Sequence, residues 1–236
     1  MADISRSSPR MLNTHICCFN RAILREHFDL CNQAIAQSSK MDKMIAAAPM
    51  SNINLSLAPD CQLDLKLTGL ELGAPGITPA FGESLAEAAG VCLEDQNHSS
   101  PIPMQVSGAL AADAVLEWEP ISAQARQCWN DDDEATEHGA YGIAVLLVPQ
   151  VSGLQVVERS KKGTGFDYWL GSATEEDSLF QNRARLEVSG IRNDTNSRVA
   201  QRVRKKLKQT ERSDGHLPAL VVVVEFSQPQ SQIAKR

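Results

Sequence analysis

The chain has 236 residues, of which 42% are hydrophobic, enough to build a core for one large domain or for one ordinary domain with additions. No apolar run reaches about 18 residues, the length read as a membrane-crossing helix, so no membrane role is expected. The formal charge of −6 hides an asymmetry: residues 1–154 carry −11 and residues 155–236 carry +5, which directs any polyanion partner to the C-terminal third.

Residues 1–50 read as an N-terminal extension, poorly ordered or helical, with one candidate helix at 20–36 and Met41, Met44 and Met50 as alternative starts. The opening stretch lacks the uninterrupted apolar core of a secretory signal, and a transit peptide is the weaker alternative to a cytoplasmic protein. The six cysteines form no C-x-x-C pair and no zinc-finger spacing with histidine, so they read as reduced thiols.

Residues 51–128 read as an elaboration of strands and helices. Leu63, Leu65 and Leu67 alternate with polar residues as in a strand. Phe81, Leu85, Ala88, Ala89 and Cys92 form a helical stripe, with Glu83 and Glu87 on the wet face. A short strand after Pro101, a strand at Val115–Trp118 and a short helix after Pro120 complete the segment.

The stretch 129–227 is the clearest. "NDDDEATEHGAYGIAVLLV" opens with acids suited to a helix N-terminus and is expected to end at Pro149 and Gly153, although Tyr141–Val148 alone also fits a strand. "LQVVERS" and "FDYWLG", joined by the turn "KKGTG", read as a hairpin, with "ARLEVSGI" as a third strand after a loop. "RVAQRVRKKLKQT" is a basic helix with the stripe Val199, Val203 and Leu207, and "ALVVVVEFS" is a buried central strand. Residues 228–236 read as a polar tail. The fold class is α/β (α+β), a mixed central sheet with helices on its faces.

Two acids interrupt these apolar strands: Asp167 between Phe166 and Tyr168, and Glu187 between Leu186 and Val188. On one face they would repel, and a hard divalent cation, Mg²⁺ or Mn²⁺, is the natural solution, with Glu137 or Glu134 as a third oxygen ligand. The plainer readings are a turn acceptor for Asp167 and an ion pair of Glu187 with Arg159, Arg183 or Arg185.

An acid on a first helix (Glu137), an Asp on the second strand of a meander (Asp167) and a Glu on its third (Glu187), followed by helix and strand, resembles the PD-(D/E)XK nuclease superfamily over about residues 130–227. The resemblance implies a restriction-endonuclease-like αβββαβ core and a metal-dependent phosphodiesterase. It further implies that Asp167, Glu187 and the Val188 carbonyl hold Mg²⁺ and that Glu137 belongs to the catalytic set. One departure matters: the family's lysine two residues after the glutamate is Ser189 here. Lys205, as the catalytic substitute, or Lys206 on the following helix could supply that charge, with Gln201 as a further neighbour. Arg198, Arg202, Lys205 and Lys206 are the expected contacts to nucleic acid, DNA first. The alternative is an inactive domain of the same fold that binds a protein partner within a larger complex.

Overall fold

The computed structural model describes residues 53–57, 62–172, 184–213 and 217–236. The helix expected at 20–36 and the loop expected at 173–182, with Arg183, lie outside them. Among the described residues no helix is long and apolar enough to cross a membrane.

Eight strands form one mixed sheet: β1 (Leu63–Lys66), β2 (Ile102–Gly108), β3 (Ala112–Glu117), β4 (Leu154–Arg159), β5 (Tyr168–Ser172), β6 (Ala184–Ile191), β7 (Ala219–Glu225) and β8 (Gln230–Lys235). Their order is β1-β3-β2-β8-β7-β6-β5-β4. The helices are α1 (Pro79–Asp95), α2 (Ala123–Cys128), α3 (Asp132–Ser152) and α4 (Asn196–Thr210).

The meander β4-β5-β6 is antiparallel, whereas β6 and β7 are parallel, and α4 supplies the crossover that a parallel pair requires. The expected order of helix, three strands, helix and strand from Asp132 to Glu225 is thus present. The expected polar tail needs correction. Gln230–Lys235 is a strand that pairs antiparallel with β7 and parallel with β2, joining the 62–128 elements to the 129–227 elements in one sheet. Its glutamines mask an alternation in which Ser231 and Ile233 are buried.

The long helix α3 settles the ambiguity of Tyr141–Val148. Asp131 caps it, accepting from the amides of Asp133 and Glu134, each at 3.0 Å. Gly153, at φ 67°, ends it in the left-handed conformation, and the helix runs through Pro149 rather than stopping there. Twelve of its 21 residues are buried, and together with α1 it covers one sheet face. That approach needs small residues: a Cβ on Gly139 would lie 2.9 Å from Ala89 Cα, and one on Gly190 of β6 would lie 2.3 Å from the Thr136 carbonyl oxygen.

The other face is thinner. Val199 and Val203 of α4 pack on Ile191, Val221 and Val223, with Leu207 and Ala234 at the margin. Strand β7 is buried on both sides, as its run of valines requires.

Candidate active site

Strand β6 divides its side chains between the two faces. Leu186 and Val188 enter the large core under α3, while Ile191 belongs to the α4 cluster. By alternation Glu187 and Ser189 also face α4, and both are buried. Asp167 is the residue immediately before β5, and its amide donates to the Leu186 carbonyl at 2.8 Å. That anchor brings its carboxylate beside β6 at the level of Glu187. A cleft of about 650 Å³ collects Glu137, Tyr141, Asp167, Glu187, Ser189, Arg202 and Lys206 among its walls.

Each carboxylate has defined contacts. Asp167 Oδ2 accepts from the Val188 amide at 2.8 Å. Tyr141 donates its hydroxyl to Glu137 Oε1 at 2.7 Å, and that hydroxyl lies 3.1 Å from Asp167 Oδ1. A phenol has one proton, so the shorter contact takes it, and Asp167 Oδ1 is the less satisfied oxygen. Glu187 Oε1 accepts from Lys206 Nζ at 2.5 Å and from Gln209 Nε2 at 3.0 Å. Glu187 Oε2 is buried and has no hydrogen-bond donor among the described residues.

Burial raises the pKa of Glu187 to about 7, and the neighbouring Asp167 charge adds to that, while Lys206 pulls it back. Burial likewise raises Asp167, against the opposing pull of the Val188 amide, Lys206 and Tyr141. Two acids that sit together in one dry site both hold their protons more tightly, and a hydrogen bond between the Asp167 and Glu187 side chains adds to the rise at Glu187. Tyr141 is raised by burial and then by Asp167, and therefore stays protonated and able to donate.

The sequence-derived candidates separate cleanly. Asp167 and Glu187 meet. Glu137 joins them only through Tyr141, not as a third direct partner, and Glu134 lies one turn earlier on the exposed face. Among the described residues no three His, Cys, Asp or Glu side chains form a metal-holding group. Two of the three expected acids line one cleft, and Tyr141 links the third, Glu137, to Asp167. Val188 supplies its amide to Asp167, and in a strand the carbonyl of a residue leaves by the same edge as its amide.

The two expected substitute cations of α4, Lys205 and Lys206, lie in different places. Lys205 is exposed and lines a separate groove with Arg198, Gln201, Arg204 and Lys208, whereas Lys206 reaches Glu187. Arg202 occupies both places: it borders that groove, and its Nη1 donates to Ser189 Oγ at 3.0 Å. The position that carries lysine in the resembled family is thus met by a guanidinium from α4. The expected pairing of Glu187 with an arginine is not found among the described residues. Arg185 turns away to the Thr210 and Leu217 carbonyls and Ser213 Oγ, and Arg159 lies over aromatic rings.

Tyr141 and Gln209 were not anticipated. Tyr141 carried a signal, because Glu137 and Tyr141 stand four apart on a helix and must neighbour each other. Gln209 carried one too, three residues beyond Lys206 on the same side of α4. Compared with family models, with curated proteins and with solved structures, the chain matches none.

Proposed function

We propose that this chain is a divalent-metal-dependent phosphodiesterase acting on nucleic acid, built on a restriction-endonuclease-like αβββαβ core. The observation that carries the reading is the pair Asp167 and Glu187 lining one cleft, with Glu187 Oε2 buried and without a donor among the described residues. The donor set fits a hard cation: two carboxylates and a main-chain carbonyl supply only oxygen, and Mg²⁺ takes one or two carboxylates and leaves its other positions to water and phosphate. Asp167, Glu187 and the Val188 carbonyl would hold Mg²⁺ or Mn²⁺. When bound, such an ion lowers the pKa of water and neutralises charge on a phosphoryl oxygen.

The chain's own groups do the rest. The Val188 amide fixes Asp167 Oδ2, while Tyr141 donates to Glu137 and leaves Asp167 Oδ1 available as a ligand. Lys206 balances Glu187 and brings donors to the place where an attacking water would be oriented. Arg202, seated at Ser189, offers a planar guanidinium to a phosphate oxygen. Arg198, Lys205 and the other cations of α4 attract the backbone through counterion release.

The test is cleavage of plasmid DNA, and of RNA in parallel, with and without Mg²⁺ or Mn²⁺. Metal-dependent cleavage that Glu187→Gln abolishes is the expected result. A purified chain that cleaves neither polymer with either metal would overturn the proposal and favour the protein-binding alternative.

A further inference from the structure

On the α3 side of the sheet, Arg159 ends β4, pairs in register with Tyr168 and reaches the acidic cleft through Tyr141, whose ring it overlies and whose side chain lines that cleft. Its guanidinium carbon lies 5.8 Å from the Phe81 ring centroid, 5.8 Å from that of Tyr141 and 5.7 Å from that of Tyr168. The rings brace one another: Tyr141 and Tyr168 meet edge to face at 5.4 Å. Three aromatic faces thus hold one exposed cation, an arrangement that pre-organises a guanidinium without consuming its N–H donors.

The surroundings are acidic, with Glu137 and Asp167 both attached to Tyr141, yet among the described residues no carboxylate forms an ion pair with Arg159. Beyond it Lys161 and Lys162 are exposed on the hairpin turn, which Gly163 and Gly165 close at φ 97° and 87°. An exposed arginine over an aromatic floor, with its donors unspent among the described residues and two exposed lysines two and three positions further along the chain, has the chemistry of a phosphate receptor.

We propose that Arg159 is a second phosphate anchor for nucleic acid, gripping the backbone on the β4–β5 hairpin side of the acids while Arg202 and Lys206 grip it on the α4 side. The anchor rests on the phosphodiesterase reading. It adds that the bound strand runs across the cleft from α4 to the hairpin, over Asp167 and Glu187, rather than lying along α4 alone.

The experiment is a fluorescence-anisotropy titration of labelled DNA and labelled RNA with the full chain carrying Glu187→Gln, so that the probe stays intact, over a range of salt concentrations. Adding Arg159→Gln is expected to weaken binding about tenfold and to reduce the slope of log affinity against log salt by about one, as for one lost phosphate contact. Arg159→Lys keeps the charge and is expected to keep the slope. If Arg159→Gln leaves affinity and slope unchanged while Arg202→Gln weakens binding, the anchor is overturned and the nucleic-acid reading stands. If Arg159→Gln lowers the melting temperature but not the slope, the residue only packs on its rings, and the anchor is again overturned. If the parent chain binds neither polymer, the anchor and the reading on which it rests fall together.

Discussion

Strand β6 has a helix on each side, and the two helices serve opposite ends. Helix α3 buries twelve residues against the sheet and α1, and its partners on β6 are Leu186 and Val188. Helix α4 buries only Val199, Val203 and Thr210, and is otherwise basic and polar. Its polar partners on β6 are Glu187, through Lys206, and Ser189, through Arg202, beside one apolar contact at Ile191. One strand thus carries stability on one face and charge chemistry on the other, which its alternation by two makes possible. A buried carboxylate is tolerated on the thin face because the thick one holds the fold.

That contrast is broken most sharply by paired substitutions. Glu187→Gln on the α4 face should reduce metal-dependent cleavage by about 10³-fold or more, since metal-centred charge stabilisation amounts to several kcal/mol. It should not unfold the chain. The folded pKa of Glu187, about 7, lies above its ordinary 4.5, so the burial penalty is absent below about pH 4.5 and fully present above about 7. Glu187→Gln should therefore melt higher than the parent at pH 8, and the advantage should vanish near pH 4; a melting curve at each pH checks this. Leu147→Ala, in the centre of α3 and fully buried, should do the reverse. It should cost about 2–5 kcal/mol in denaturant titration while leaving the metal affinity of the folded protein intact.

Smaller effects sharpen the comparison within α4 itself. Lys206→Met removes the cation that holds down the Glu187 pKa, so cleavage should fall by about 10²-fold and its pH optimum should move upward. Lys205→Met, one position away, should leave the pH profile unmoved. It should change only affinity, by a few fold, with a salt slope smaller by about one. A Lys205 variant as impaired as the Lys206 variant would mean that the cations of α4 act as a diffuse field and not by position.

The difference between those two lysines was legible from helical phase. Val199 and Val203 set the buried stripe; Arg202, Lys206 and Gln209, spaced by four and three, flank it on one side, whereas Gln201, Lys205 and Lys208 point away from it. What phase alone did not disclose is which flank meets β6, because that depends on how the crossover lands. The central elements were readable from alternation and caps: the acids before Ala135, the lone carboxylates in Phe166–Tyr168 and Leu186–Val188, and the valine run. Strand β8 was not, because Gln230 and Gln232 look like a tail until β2 and β7 offer their hydrogen bonds on either side. The link from Glu137 to Asp167 was half legible. Helix spacing gave the Glu137–Tyr141 neighbour, but only the packing of α3 on the meander takes that hydroxyl to Asp167.

The central claim is that Asp167 and Glu187 share one divalent cation, and calorimetric titration of Mn²⁺ into the full chain tests it most directly. At pH 8 the account predicts a single site, weakening as the pH falls through about 7 because Glu187 must release its proton, and abolished by Asp167→Ala and by Glu187→Ala alike. Unchanged Mn²⁺ binding in both variants would contradict it.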